Sequence, residues 1–148
     1  MGKLTLLVGL PGSGKSTYAK KYLEKDNIIL SSDVIRGEIF NDENDQSNNA
    51  LVFSTLYSRA KQILESGKNV VIDATNCSKF DRKRVLDNFS DMPLIRVAIV
   101  IKTPIDECEK RDKERNRTVG RQVIDKFNTK FEMPTKDEGF DEIIIISN

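Results

Sequence analysis

The stretch Gly9-Leu10-Pro11-Gly12-Ser13-Gly14-Lys15-Ser16 constrains this chain more than any other. It has the form G-x-x-x-x-G-K-[ST], with an apolar run at 4–8 ahead of it and an amphipathic pattern at 16–24 behind it. That context predicts a buried strand, a tight glycine turn and a helix. Consecutive backbone N–H groups in such a turn curl around phosphate oxygens, and the helix N-terminus adds positive potential. The motif's chemistry places Lys15 on the β- and γ-phosphates of a nucleotide and the Ser16 hydroxyl on Mg²⁺. Gly9, Pro11, Gly12, Ser13, Gly14, Lys15, Ser16 and Thr17 are therefore the expected nucleotide-binding residues, with ATP and Mg²⁺ as cofactors. A glycine turn without a ligand is the competing reading, and the complete match in its strand–helix context stands against it.

The rest of the chain repeats the same alternation. Short apolar runs at 27–30, 70–72, 94–101 and 143–146 predict four more strands. Helices are expected at 33–40, 46–66, 104–115 and 121–131, with another opening at the capping-box-like Ser78-Lys79-Phe80-Asp81. In 46–66, Phe53, Leu56, Ala60, Ile63 and Leu64 follow a helical period, and Gly67 is placed to end it. Near-continuous Val/Ile/Leu strands suit a parallel sheet covered on both faces. The expected fold is a three-layer α/β domain with a mainly parallel five-stranded sheet and a helical lid at about 110–132. With 148 residues and neither repeat nor linker, residues 1–148 read as one domain. The acidic stretch 41–46 reads as a solvated loop or helix start.

Composition narrows the chemistry. The chain has no histidine, which removes Ser-His-Asp and Cys-His nucleophile systems and imidazole zinc sites. Acid–base work must fall to a carboxylate or a lysine. Cys77 and Cys108 have no C-x-x-C spacing, which points to a reducing compartment. With no apolar run of membrane-spanning length and no secretory pattern at the N-terminus, the expected location is cytoplasmic, with no membrane partner. The net charge is +1, which argues against broad wrapping of nucleic acid.

A glycine-lysine phosphate loop serves kinases, GTPase switches and motors alike. The nearest approach to a guanine-specific N/T-K-x-D motif is Thr129-Lys130-Phe131-Glu132, which ends in Glu and lies in a helical pattern. A chain this short leaves a small phosphotransferase. Its acceptor side must come from the carboxyl ends of the strands. The second strand ends in Ser31-Ser32-Asp33 and continues to Arg36. Asp33 and Arg36 share one helix face. Asp33 fits a proton acceptor and Arg36 a group that orients the acceptor, with a helix N-cap and an exposed helix cation as the alternatives. The third strand ends in Asp73-Ala74-Thr75-Asn76, where Asp73 suits Mg²⁺ or substrate, or else a turn before Ser78. From Lys110 through Arg121 there are six basic residues against two acidic ones, a local +4 that fits a lid neutralising a phosphoryl group. A solvated helix laced with ion pairs is the other reading.

Taken together, Gly9–Thr17, Ser31-Ser32-Asp33 with Arg36, Asp42-Glu43-Asn44-Asp45-Gln46, Val71-Ile72-Asp73-Ala74-Thr75-Asn76 and Arg117-Thr118 with Arg121-Gln122-Val123 resemble the kinase module of bacterial polynucleotide kinase–phosphatase. The chain is similar, more distantly, to the kinase domain of phage polynucleotide kinase. The resemblance implies a P-loop kinase that moves the γ-phosphate of ATP to the 5′-hydroxyl end of RNA or DNA in nucleic-acid repair. It implies Asp33 as general base and Arg36 at the acceptor end. It also implies Arg111 with Arg115 or Arg117 on the ATP phosphates, and Ser32, Asp73, Thr75 and Asn76 at the substrate. A separate phosphatase or ligase is an expected partner. A kinase of a small molecule such as a nucleoside, sugar or antibiotic, and a nucleotide-dependent binding module, are the competing functions.

Overall fold

The computed structural model describes residues 1–115 and 118–147. Five strands form one sheet, β1 (Gly2–Val8), β2 (Ile28–Ser31), β3 (Val70–Asp73), β4 (Leu94–Lys102) and β5 (Glu142–Ser147). Their order is β2-β3-β1-β4-β5, and every neighbouring pair is parallel. The sheet expected to be mainly parallel is therefore wholly so. The three inner strands carry the apolar runs, with all of β3 and residues 4–8 of β1 buried.

Helices cover both faces. α1 (Lys15–Tyr18) continues as a π-helical turn, Ala19–Leu23, so the helix expected at 16–24 is wider in its second half. The others are α2 (Ser32–Phe40), α3 (Asn49–Glu65), α4 (Lys79–Asp87), α5 (Ile105–Lys113) and α6 (Arg121–Lys130), with a short 3₁₀ turn at Lys136–Glu138. On one face Leu4, Leu6 and Val8 of β1 pack with Val52, Leu56 and Ala60 of α3 and Val85 of α4. On the other, Leu7 meets Ala19 below α1. The alternation along β1 is the period-two rule at work in a strand buried on both sides. A smaller cluster, Leu10, Cys77, Cys108 and Ile124, lies behind the glycine turn and ties it to α5 and α6.

Helix ends follow the polar residues next to them. Ser31, Asn48 and Ser78 cap α2, α3 and α4, each accepting a backbone N–H with its side chain. α3 starts at Asn49 rather than 46 because Asp42 and Asp45 turn their carboxylates onto the Asn44 and Ser47 amides. It ends as expected at Gly67 (φ 89°), whose N–H meets the Leu64 carbonyl. α6 stops at Lys130, so Phe131 and Glu132 lie beyond the helix they were assigned to. Among the described residues, no helix is long and apolar enough to cross a membrane.

Candidate active site

The carboxyl ends of β1, β2 and β3 open into one cleft of about 870 Å³. Its donor wall is the glycine turn. Gly12 (φ 79°) and Gly14 (φ 98°) take conformations that other residues rarely adopt. A Cβ on Gly12 would stand 2.3 Å from the Cys108 carbonyl oxygen, so the turn lies hard against α5. The Ser13 carbonyl is gripped from the lid side by Thr103 Oγ1 (2.8 Å) and Arg111 Nη1 (3.0 Å). Lys15 Nζ donates to the Gly9 and Leu10 carbonyls at 3.0 and 2.9 Å, inside the curl of the turn. Burial pushes its pKa below the ordinary value, against the pull of the nearby Asp73 carboxylate.

Ser16 Oγ donates to Asp73 Oδ2 at 2.6 Å. The hydroxyl of α1 and the carboxylate of β3 thus meet on the cleft wall, where the motif's chemistry calls for a divalent cation. Among the described residues there is no group of three or more acidic or thiol side chains that could hold a metal. A cation at this pair takes one hydroxyl, one carboxylate and otherwise water and phosphate oxygens, which is the pattern Mg²⁺ accepts. The residues fit the ion.

Of the expected nucleotide-binding residues, Pro11, Gly12, Gly14, Lys15, Ser16 and Thr17 border the cleft. Gly9 and Ser13 do not. They pack behind the turn, where a Cβ on Gly9 would stand 2.7 Å from Ser13 Oγ.

The acceptor wall is built of side chains. Ser31 caps α2, so Asp33 is not the cap that the alternative reading made it. Its Oδ1 accepts from Arg36 Nη1 at 2.7 Å. Arg36 is no surface cation either: it is 5% exposed, and its Nε and Nη2 donate to Asn49 Oδ1. Asn49 Nδ2 in turn donates to Gln46 Oε1. The acidic stretch read as merely solvated therefore places Asn44 and Gln46 on the cleft and buttresses Arg36 through Asn49. The sequence signal for this was the alternation of Asp with Asn and Gln, which favours Asx turns over a helix.

Ser32, Thr75 and Asn76 also border the cleft. Thr75 accepts Gly9 N–H through its carbonyl, and Asn76 (φ 47°) donates Nδ2 to the Leu7 carbonyl at 2.7 Å. The Asn76 amide thus braces β1. Behind it stands Arg82, fully buried, which donates to the Asn76 carbonyl and to Glu138 at 2.7 Å. Nothing in the sequence pattern marked Arg82, whose partner lies 56 residues away.

The basic segment divides. Arg111 and Arg115 reach the cleft, whereas Arg121 turns outward to Asp106, Glu109 and Asp125. Arg115 is held by Asp112, which is buried and also accepts Val119 and Gly120 N–H groups. Burial alone would raise the Asp112 pKa, but these hydrogen bonds outweigh it and hold the carboxyl below its ordinary value. Arg117 lies outside the described residues. The cleft also takes in Phe53 and Tyr57 of α3, Asp81 and Arg84 of α4, and Lys126, Phe127 and Lys130 of α6, none of them expected from the sequence at the site.

The AAA domain family (AAA_33) matches residues 4–134. The chain belongs to this family of P-loop kinases. L-seryl-tRNA(Sec) kinase of Methanococcus maripaludis is 32% identical over 143 residues, covering 88% of this chain and 53% of that protein. Among solved structures, a chain of the Pnkp1/Rnl/Hen1 RNA repair complex matches with a TM-score of 0.78 at 25% identity, over 87% of this chain and 43% of that one. The fold recurs in APS kinase CysC of Mycobacterium tuberculosis, with a TM-score of 0.66 at 21% identity, over 97% of this P-loop kinase and 88% of that enzyme. The chain thus spans about half the length of the first two relatives.

Proposed function

We propose that this P-loop kinase is an ATP-dependent polynucleotide 5′-hydroxyl kinase acting in nucleic-acid repair. The observation that carries the reading is the Asp33–Arg36 pair, which opens on the same cleft as Lys15, Ser16 and Asp73. A side chain that takes a proton from an incoming alcohol must be reachable, and the Asp33 side chain is 44% exposed while its Arg36 partner is 6% exposed. In the proposed reaction the 5′-oxygen attacks the γ-phosphorus and its proton passes to the Asp33 carboxylate. The bond between the γ-phosphorus and the β–γ bridging oxygen breaks, and ADP leaves with that electron pair. Lys15 and the turn amides hold the triphosphate, Arg36 orients the acceptor, and Arg111 and Arg115 face the charge in transit. Ser16 and Asp73 would hold Mg²⁺, which would neutralise charge on the phosphates.

The relationship to seryl-tRNA kinase supports a second reading, in which the acceptor is a serine hydroxyl carried on tRNA. Both acceptors are primary alcohols at the end of a polyanion, so one arrangement of Asp33 and Arg36 serves either. Incubation with γ-labelled ATP and matched RNA and DNA strands bearing 5′-hydroxyl ends, beside seryl-tRNA, decides. Label at the 5′ end of the strands is expected. Label on seryl-tRNA alone transfers the assignment to the second reading, and label on a small metabolite alone refutes both.

A further inference from the structure

The cleft carries more charge than phosphoryl transfer uses. Seven of its lining residues are basic and four acidic. Lys15 and Arg111 grip the glycine turn, and Arg36, Arg115 and Lys130 each meet a carboxylate, Lys130 on Asp81 at 3.3 Å. Arg84 and Lys126 differ. Among the described residues neither forms an ion pair, and both are exposed on the cleft lining.

Aromatic rings lie among these two cations. Phe53 and Tyr57, one helical turn apart on α3, have centroids 6.1 Å apart, and both border the cleft. Phe89 braces Tyr57 edge-on from below. On α4 the Arg84 guanidinium lies 5.8 Å from the Phe80 ring, which is 69% exposed. On α6 Lys130 stands over Phe127 at 4.7 Å. Rings that stack bases, interleaved with cations that meet phosphates, are what a groove for single-stranded nucleic acid requires. Two cations without ion-pair partners among the described residues, one on α4 and one on α6, suit a polyanion that continues past its reacting hydroxyl.

We propose that Arg84, Lys126 and the rings of Phe53 and Tyr57 form a subsite for the nucleotides that follow the reacting end of a single-stranded acceptor. Bases stack on the α3 rings, and the first phosphodiesters lie between Arg84 of α4 and Lys126 of α6. The subsite rests on the reading of the chain as a polynucleotide kinase and adds to it a preference for an unpaired end. A duplex keeps its terminal bases stacked on each other and presents no free face to Phe53 or Tyr57.

The test is anisotropy titration of the full chain with a single-stranded hexanucleotide, 5′-hydroxyl at one end and fluorescein at the 3′ end. Arg84→Ala and Lys126→Ala are each expected to weaken binding several-fold, and the double variant at least tenfold. The slope of log affinity against log salt is expected to shrink by about 0.7 for each cation removed. Phe53→Leu, which keeps an apolar side chain against the core, should cost roughly fivefold or more through lost stacking. Adenosine, with a base and a 5′-hydroxyl but no phosphate, should compete equally well against wild type and the double variant. An unchanged salt slope in the double variant, or a blunt duplex bound as tightly as the single strand, overturns the subsite. Labelling with γ-labelled ATP runs in parallel. A hexanucleotide held through Arg84 and Lys126 but never phosphorylated refutes the kinase assignment and leaves the subsite standing. Equal labelling of subsaturating strand by wild type and the double variant does the reverse.

Discussion

On the donor wall of the cleft the polar groups are mostly backbone, shaped by the conformations of Gly12 and Gly14 and pinned by Thr103, Arg111 and Thr75. On the acceptor wall they are side chains hung on α2, α3, α4 and α6, several of them positioned by another side chain. Arg36 is aimed by Asp33 and Asn49, and Lys130 by Asp81. The first construction fixes one ligand chemistry, because amides and carbonyls do not vary with sequence. The second can be rewritten residue by residue, which lets one fold serve different acceptors.

If the walls are separable in this way, Asp33→Asn should lower phosphoryl transfer by about 10²–10⁴ while nucleotide affinity changes less than twofold. Labelling of a 5′-hydroxyl strand and titration of a non-hydrolysable ATP analogue measure the two quantities. A comparable loss in both would show that the walls act as one. Arg82→Met probes their common support, since Arg82 anchors the loop that carries Thr75 and Asn76. Removing one partner of a buried pair leaves Glu138 uncompensated, with an expected cost of roughly 3–5 kcal/mol in denaturant unfolding. A change below 1 kcal/mol would mean that Glu138 finds another partner.

The lid offers a pH test. A carboxyl whose folded pKa is depressed adds stability above its unfolded value and loses it as pH falls through the folded one. Asp112 therefore helps hold the lid at neutral pH, and that help fades in acid below the ordinary value of 3.8. Asp112→Asn should lower Tm at neutral pH and flatten its decline in acid. Parallel Tm–pH curves for the two proteins would remove Asp112 from that role. The smallest effect is expected at Arg121→Ala. Its three carboxylate partners are on an open surface, so Tm should shift slightly, and less still at high salt. Strand binding should not change.

The same contrast explains what the sequence could disclose. The glycine turn was readable because its spacing is its function, and the five strands because burial on two faces demands unbroken apolar runs. Asp33, Arg36 and Asp73 were picked out from their places at strand ends, and all three line the cleft. The lid was overcounted, since a run of six basic residues reveals charge but not direction, and Arg121 points away from the cleft. Arg84, Lys126 and Tyr57 of the cleft lining were not anticipated, and Phe53 only as a helix-face position, because they arrive singly, from helices whose periodicity accounts for them as ordinary face residues. Gly9 and Ser13 pack tightly against each other within the turn, a closeness that spacing alone does not encode. The reach of Arg82 to Glu138 is a product of tertiary folding alone.

The position of β1 has a consequence for how the molecule comes into being. Although it is made first, its hydrogen-bonding partners are β3 and β4, with Leu4 beside Val70 on one side and Arg96 on the other. These pairings join distant parts of the chain, which places the protein among slow folders. On the ribosome, the strand that carries the glycine turn waits for its first neighbour, β3, until residues 70–73 are made, and for its second, β4, until residues 94–102 are made. The phosphate-binding turn is therefore held on both sides only after β4 has joined the sheet.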